Sequence, residues 1–290
     1  MSREPLANWN GTIMPLSEVR VSVLDRGFLF GDAIYEVLRV YCGVPFLESR
    51  HLDRLERNLN KLSIRADVST LASRMRETLD ASGISEGTIY IQVTRGEAPR
   101  SHAFPDPPAK PNELIWVREY HDHAAELRRV GGKVILIPDL RWKRCDIKSV
   151  NLLANCMGAE EARQAGAVEA IYFNDEGWLS EGTHTSLFAV RDGAIITAPL
   201  GKNLLPGITR TLVLDLASRS SIPVIEESLH RDQLTGIDEL FLTGTTTEIM
   251  PIVQADETLI GHGQVGPVVR QLQTAYGNVV AEFCRQNKDS

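Results

Sequence analysis

The sequence predicts two mixed α/β (α+β) domains, with sheets flanked by helices and an active-site cleft between the domains. Three observations lead to this prediction. The chain has 290 residues, enough for two domains of ordinary size. Short β-branched runs alternate with amphipathic helical stripes, and the two halves of the chain order these elements differently. No Gly-x-Gly-x-x-Gly follows the first strand, so a dinucleotide-binding fold is not indicated.

The first domain is predicted to span residues 1–119 and to contain one sheet with two amphipathic helices. Its predicted elements are a turn between two short strands at 9–14, strands at 33–41, 88–94 and 113–117, and helices at 51–62 and 71–83. A proline-rich loop, residues 97–111, is longer than a simple connector. Loops of that length usually have a function of their own.

The second domain is predicted to span residues 133–290, after a polar linker at 120–132. Its strands are expected at 133–138, 169–174, 177–180, 186–190, 194–197 and 239–243. Its helices are expected from 149 or 151 to 166, from 209 to 220, and along the C-terminal stripe at 268–283.

Composition narrows the functional classes. The net charge of −7 and the lack of a basic stripe argue against a general nucleic-acid binder. Without a membrane-length apolar run or a signal peptide, the chain is expected to be cytoplasmic. The four cysteines form no Cys-x-x-Cys pair and are expected to be reduced thiols: Cys42, Cys145, Cys156 and Cys284. No metal site is predicted, because His121-Asp122-His123 lacks a partner at ligand spacing.

Lys148 is the principal candidate for catalysis, because it lies between a buried strand and a helix that Ser149 or Asn151 is expected to cap. Lys143, Arg144 and partial burial are expected to disfavour its ammonium form. The free amine is the form that attacks a carbonyl to give a Schiff base. On position alone, a solvated lysine at the end of a loop is the simpler interpretation.

Two segments are suited to an anion. At Leu205–Arg210 a glycine turn leads into a helix, so that the amides of Ile208 and Thr209 point outward at its N-terminus. Gly244–Thr247 is a turn of small residues with hydroxyls and amides. The absence of Gly-Lys-Ser/Thr excludes a P-loop. Each segment alone is typical of an ordinary capped turn.

Two further sites carry candidate polar groups. Glu181 follows a predicted strand; buried under a cofactor ring, it would keep a pyridine nitrogen protonated, although an acid at a strand end is usually solvated. Arg100 and His102, on the proline-rich loop, have the chemistry to clamp a carboxylate, although most loop arginines face water.

Several stretches in this order resemble the fold-type IV (class IV) aminotransferases, which use pyridoxal 5′-phosphate, and most of all the bacterial D-amino acid (D-alanine) aminotransferases. The stretches are 25–37, 94–105, 141–149, 180–182, 207–210 and 245–248, and the resemblance extends from about Trp9 to the last helix. It implies a PLP-dependent transamination between a D-amino acid (D-alanine, D-glutamate) and a 2-oxo acid (2-oxoglutarate, pyruvate).

The resemblance also implies a role for each matching residue. Lys148 would hold the cofactor as a Schiff base and move the proton, and Glu181 would bind the ring nitrogen. Leu205 would pack on the ring. The phosphate would be bound by Arg54, Ile208, Thr209 and Thr245. Tyr35, Arg100 and His102 would form the trap for the substrate carboxylate, with the Arg–His loop donated by the second subunit of a homodimer.

Three residues depart from the family pattern: His184, Gly244 and Arg39. The first two bear on substrate range and cofactor retention. Within the same fold the alternatives are a branched-chain L-amino acid aminotransferase, an (R)-amine transaminase or, further away, an aminodeoxychorismate lyase. Outside it, the alternative is a non-catalytic protein that binds a phosphate ligand.

Overall fold

The computed structural model describes residues 4–287 and has a mixed α/β fold with flanking helices, which confirms the predicted fold class. Its contacts divide it into two compact units. The first unit comprises residues 4–121, 147–151 and 283–287, and the second comprises 122–146 and 152–282. The sequence did not predict that 147–151 and the chain end group with the first unit. The domain limits at 119 and 133 stay a prediction, which limited proteolysis would test.

The first unit is a six-stranded antiparallel sheet in the order β2-β1-β6-β5-β3-β4, with two long helices on one face. Its elements are β1 (Leu6–Trp9), β2 (Thr12–Pro15), α1 (Arg26–Phe30), β3 (Ala33–Tyr41), β4 (Val44–Pro45), α2 (Glu48–Leu62), α3 (Val68–Ser82), β5 (Gly87–Thr94) and β6 (Asn112–Glu119). Apolar residues of α2 and α3, among them Leu55 and Met75, pack with Ile34 and Leu38 of β3 into the core.

The segment that carries Lys148 adds to the edge of this sheet. Tyr35 N donates to Lys148 O at 3.0 Å, and Val150 N donates to Ala33 O at 3.2 Å. The side chain of Ile147 is buried in the core of the unit. Lys148 is therefore held by backbone pairing and by an apolar anchor at the preceding residue.

The second unit is built on a nine-stranded mixed sheet in the order β12-β11-β10-β13-β14-β7-β8-β9, with β15 beside β14. Its elements are α4 (Ala125–Val130), β7 (Gly132–Pro138), α5 (Leu153–Gln164), β8 (Glu169–Phe173), β9 (Leu179–Gly182), β10 (Ser186–Arg191), β11 (Ala194–Thr197), α6 (Ile208–Arg219), β12 (Val224–Glu226), β13 (Glu239–Gly244), β14 (Glu248–Ala255), β15 (Thr258–Leu259) and α7 (Pro267–Gln286). Because β9 pairs with both β8 and β10, six of these strands form a closed ring.

Several predicted boundaries in the second unit were wrong. Glu181 lies inside β9 rather than after a strand. β14 was missed because Pro251 within it argues against a strand. β12 and β15 were missed because they have only three and two residues.

The predicted cap of α5 was also wrong. The helix begins at Leu153, and its N-cap, Leu152, makes no side-chain capping bond. The side-chain amide of Asn151 instead donates to the carbonyl oxygen of Gly31 at 3.0 Å, while Ser149 Oγ accepts from the amide of Asn151 at 3.4 Å. Both side chains therefore hold the Lys148 segment rather than the helix.

The prediction of four reduced thiols was wrong for two of them. Cys42, in the turn after β3, and Cys284, near the end of α7, form a disulfide with a Cα–Cα distance of 5.6 Å. Cys145 and Cys156 are free. The pair is separated by 242 residues, so no local pattern pointed to it. Phe46 and Phe283 pack edge to face beside it, with ring centroids 5.1 Å apart.

Over residues 4–287, none of the helices combines the length and the apolar character that crossing a membrane requires.

Candidate active site

In the first unit, Lys148 lies beside Tyr35, another of the predicted site residues. The Nζ atom of Lys148 is 4.1 Å from the centroid of the Tyr35 ring, a cation–π distance. The Tyr35 ring in turn stacks on Tyr90, with centroids 5.7 Å apart. The lysine amine is thus positioned by its backbone pairing with β3 and by an aromatic surface.

Arg54, a predicted phosphate ligand, belongs to a buried ionic cluster. Its Nε and Nη2 atoms donate to the two carboxylate oxygens of Glu36 at 2.7 and 2.8 Å, and His51 Nδ1 lies 2.8 Å from Glu36 Oε2. Burial alone raises the pKa of Glu36, but Arg54 and His51 outweigh it and hold the pKa well below its usual range. Burial lowers the pKa of His51, and Lys148 adds to that effect while Glu36 opposes it.

Arg100 and His102 lie together on the loop between β5 and β6, and both are exposed. The Arg100 guanidinium is 5.4 Å from the centroid of the Phe30 ring, and the His102 ring is 5.7 Å from the same centroid. Arg26, only 3% exposed, anchors the loop by donating to Ser101 O at 2.6 Å. Among the described residues, no hydrogen bond, ion pair or ring contact joins Arg100 or His102 to Tyr35 or Lys148.

In the second unit, Glu181 is a buried acid with an unusual titration. Arg141 Nη1 donates to its Oε1 atom at 2.5 Å, and the amide of Leu205 donates to Oε2 at 3.1 Å. Burial raises the pKa of Glu181 to about 7, because Arg141 and the Leu205 amide offset the loss of hydration only in part. A carboxyl group of this pKa shares a proton readily with a basic ring nitrogen.

Ser186 connects Glu181 with both predicted anion sites. It pairs with Glu181 across β9 and β10, and with Thr243 across β10 and β13. It also lies against the start of α6, since a Cβ atom on Gly207 would be 2.6 Å from Ser186 Oγ. Glu181, the N-terminus of α6 and the end of β13 therefore lie around Ser186.

The N-terminus of α6 and the turn after β13 have features of an anion site. The N-cap residue of α6 is Gly207. Glycine has no side chain that could accept a hydrogen bond, so the first backbone amides of the helix lack a side-chain cap. Beyond Thr243 the turn Gly244–Thr247 begins. The buried Oγ1 atom of Thr243 has no hydrogen-bond partner within residues 4–287, which leaves a donor for a bound anion.

Sequence reasoning missed four polar residues of these clusters: Glu36, His51, Arg141 and Ser186. Glu36 was detectable in principle, because an acid inside a run of buried strand residues requires a cationic partner. Arg141 gave no such signal. Its link to Glu181 joins residues 40 apart in sequence.

Two residues near Lys148 in sequence, Arg144 and Cys145, have local environments that bear on the candidate site. Arg144 donates to Asp146 at 2.9 Å, so its charge is compensated locally. Burial raises the pKa of the Cys145 thiol to about 11, which opposes a nucleophilic role.

Arg39, one of the departures from the family pattern, is buried between the rings of Tyr41 and Tyr120, 4.2 and 4.3 Å from their centroids. Its guanidinium also donates to Glu86 Oε2 at 2.6 Å and to Gly87 O at 3.0 Å, so it has a structural role in the first unit.

Comparison with known proteins agrees with this fold. The family model described as amino-transferase class IV matches residues 33–255. A D-alanine aminotransferase of Staphylococcus aureus (strain N315) is 39% identical over 272 residues, which cover 92% of this chain and 95% of the relative. One of Bacillus licheniformis is 36% identical over 274 residues, covering 94% and 96%.

Solved structures agree as well. A branched-chain amino acid aminotransferase of Escherichia coli superposes with a TM-score of 0.89 at 25% identity, covering 96% of this chain and 95% of that one. The enzyme of the same name from T.th., solved with pyridoxamine 5′-phosphate, has a TM-score of 0.88 at 27% identity, covering 97% and 95%.

The chain therefore belongs to the class IV aminotransferases. It is a PLP-dependent enzyme, as the sequence predicted, and the non-catalytic alternative is excluded. Its own residues fit that cofactor: a buried acid suits the ring nitrogen, and a glycine-capped helix beside an unpartnered Thr243 hydroxyl suits the phosphate.

Proposed function

We propose that this enzyme transfers an amino group between a D-amino acid (D-alanine or D-glutamate) and a 2-oxo acid (2-oxoglutarate or pyruvate). The observation that carries the proposal is the identity of 36–39% with D-alanine aminotransferases over more than nine-tenths of the chain. Retention of both Arg100 and His102 supports the same donor.

In the proposed mechanism, Lys148 would hold the cofactor covalently through Nζ, and the free amine of the same side chain would accept the α-proton of the substrate. Bound PLP supplies an electron sink for the negative charge that develops at the α-carbon. Glu181 keeps the ring nitrogen protonated, and Arg141 fixes the orientation of the Glu181 carboxylate. The backbone pairing of Lys148 with Tyr35 supports this assignment, because it restricts the lysine to a defined position.

The proposed phosphate ligands are backbone amides and polar side chains. The amides of Ile208 and Thr209 at the start of α6, together with Thr245, would donate to the phosphate. Arg54 would contribute its guanidinium, which Glu36 already orients through two hydrogen bonds. Leu205 would pack on the ring, next to its amide contact with Glu181.

Tyr35, Arg100 and His102 are the proposed trap for the substrate α-carboxylate, with the Arg100–His102 loop donated by the partner in a homodimer. An apolar patch in the first unit supports such an interface. Val23, Leu24, Phe28 and Phe104 are 48–70% exposed. Leu24 O accepts from Ala98 N at 3.4 Å, which places the patch beside the loop.

Mixed dimers test the shared site. Subunits carrying Lys148→Ala and subunits carrying Arg100→Ala are each expected to be nearly inactive alone. When they are co-expressed in equal amounts, half of the dimers are mixed and contain one intact site, so that about a quarter of wild-type activity returns. Activity that stays at the level of the separate variants would show that each subunit supplies its own arginine.

The spectrum of the holoenzyme tests the donor. D-alanine, added without an oxo acid, is expected to replace the absorbance of the lysine-bound cofactor by that of pyridoxamine phosphate. L-leucine is the second donor to try, because the superposed structures are branched-chain aminotransferases. Conversion by L-leucine alone would favour that activity over the proposed one. The third alternative, an (R)-amine transaminase, is less well supported, because an (R)-amine donor has no carboxylate for the Arg100–His102 pair to bind.

We also propose a cytoplasmic location, because free amino and oxo acids are the substrates. In a reducing compartment Cys42 and Cys284 would be held as thiols unless the bond resists the cellular reductants. Alkylation of thiols in freshly lysed cells, followed by mass spectrometry of the Cys284 peptide, distinguishes the two forms.

A further inference from the structure

A buried carboxylate in the first unit, that of Asp32, binds two arginines that the proposed mechanism does not use. Its Oδ2 atom accepts from Arg26 Nε at 2.8 Å and from Arg95 Nε at 2.7 Å, and its Oδ1 atom accepts from Arg95 Nη2 at 3.0 Å. The three side chains are only 3–9% exposed. One acid shared by two arginines cannot satisfy all their N–H groups, so the others must find acceptors elsewhere in the fold.

Arg26 finds its other acceptors in the loop that carries Arg100 and His102. Its Nη1 atom donates to Ser101 O at 2.6 Å, and its Nη2 atom lies 3.4 Å from His102 O, to which it donates. The two carbonyl groups belong to the peptide units on either side of His102. One guanidinium, itself held by Asp32, therefore fixes the loop backbone at the candidate residues.

Ring contacts hold the same segment of the loop. The Phe30 ring, at the end of α1, lies 5.4 Å from the Arg100 guanidinium and 5.7 Å from the His102 ring, so the two candidate side chains share one aromatic neighbour. The Phe104 ring lies 3.5 Å from the Arg95 guanidinium, a cation–π distance. The segment is thus attached to the cluster by its backbone and, two residues further on, by a ring.

We propose that Arg26 and Asp32 are positioning residues for the substrate α-carboxylate, because they hold the loop that carries Arg100 and His102 in place before substrate binds. This inference rests on the proposed function and deepens it. Arg26 acts on the loop backbone, and Asp32 acts by orienting Arg26. A loop that is already ordered loses less conformational entropy when its side chains bind a carboxylate than a mobile loop does.

Binding of propionate tests the proposal, because propionate has the carboxylate and carbon chain of alanine but no amino group and cannot react. Arg26→Lys keeps a charge beside Asp32, but one ammonium group cannot reproduce the fork that reaches Asp32 and both carbonyl groups. In calorimetric titration of the holoenzyme, its dissociation constant for propionate is expected to rise about tenfold. Asp32→Asn, the second variant, should weaken binding in the same way. Arg76→Gln, which removes a surface ion pair with Glu48, is the control and should bind propionate like the wild type.

The double variant Arg100→Ala/His102→Ala tells whether Arg26 acts through the loop. Adding Arg26→Lys to it should cause no further loss of propionate affinity, because no candidate side chain is left to position. Wild-type affinity in both Arg26→Lys and Asp32→Asn, or an equal loss from Arg26→Lys in both backgrounds, would overturn the proposal. Wild-type affinity in Arg100→Ala/His102→Ala would instead refute the carboxylate trap of the proposed function.

Discussion

At the scale of single residues, the candidate site is organised by buried charges whose partners are far away in sequence. Glu36 is bound by Arg54, Glu181 by Arg141, and Glu169 by His184. A buried acid without a partner would be strongly destabilising, so each carboxylate specifies where its cationic partner must lie. Only Glu181 keeps a raised pKa, because its partners offset burial incompletely.

Glu181 makes the stability of the cofactor-free protein depend on pH. Its pKa rises from 4.5 to about 7 on folding, so between these values the folded chain retains a proton that the unfolded chain has lost. The free energy of unfolding should therefore fall as the pH rises through this window, by up to about 1.4 kcal/mol per pH unit. Thermal unfolding of the cofactor-free protein from pH 4.5 to 7 is expected to show a shallower decline for Glu181→Gln. Parallel profiles for wild type and variant would contradict the raised pKa.

Lys148 is expected to be the single point of covalent attachment. Lys148→Ala should slow conversion of bound cofactor by D-alanine by a factor of about 10² to 10⁴, since the group that moves the proton is lost. Borohydride reduction followed by peptide mapping should find the pyridoxyl group on Lys148 in the wild type. Lys143→Ala, an exposed residue of the same segment, is the matched control and should retain the modification. A pyridoxyl group on another lysine would refute the assignment.

At the scale of elements, the predicted anion site at the start of α6 depends on the close approach of α6 to β10. Gly207 allows that approach, because any side chain there meets Ser186. The residue after it begins a helix whose first turn carries no acidic side chain, so the positive end of the helix dipole is not neutralised locally. The same glycine thus determines both packing and the position of the helix N-terminus.

Gly207→Ala tests this dependence. The new Cβ would lie 2.6 Å from Ser186 Oγ, which forces the start of α6 or the serine to move. We expect the dissociation constant for PLP to rise about tenfold or more, equivalent to about 1.4 kcal/mol or more of binding free energy. Gly236→Ala is the control in the same unit, because its Cβ would meet no atom within 4 Å. Equal affinities in the two variants would show that the approach of α6 does not matter for the cofactor.

At the scale of the whole molecule, the disulfide joins the turn after β3 to the end of the last helix and closes a loop of 242 residues. Such a crosslink restricts the unfolded chain far more than the folded one. Its effect on stability is therefore expected to exceed that of any single surface contact.

Cys284→Ser should reduce the free energy of unfolding by roughly 2 to 4 kcal/mol under oxidising conditions, with a corresponding fall in Tm. Cys156→Ser, which removes an exposed free thiol, should leave Tm unchanged. Under reducing conditions the Tm of the wild type should approach that of Cys284→Ser. A wild-type Tm that is the same in both conditions would mean that the disulfide does not form in solution.

The sequence alone determined the local elements and the chemistry of the candidate residues. The strand at 33–41 was predicted to the residue, since its β-branched and aromatic run ends in a Cys-Gly turn. The helices α2, α3, α6 and α7 follow from apolar stripes, and α3 also from its stop at Gly83, because those signals lie within a few turns. Motif order and spacing were enough to identify the family and its cofactor.

Only the tertiary structure decided which residues pair and which face a site. The bond between Cys42 and Cys284, the link between Arg141 and Glu181, and the placement of Ser186 beside Gly207 each join positions distant in the chain. The prediction that Asn151 caps α5 was wrong for the same reason. A helix cap is a local signal in the sequence, whereas the side chain of Asn151 donates to the distant carbonyl oxygen of Gly31. Burial and long-range pairing depend on the folded chain as a whole, so they have no local signature in the sequence.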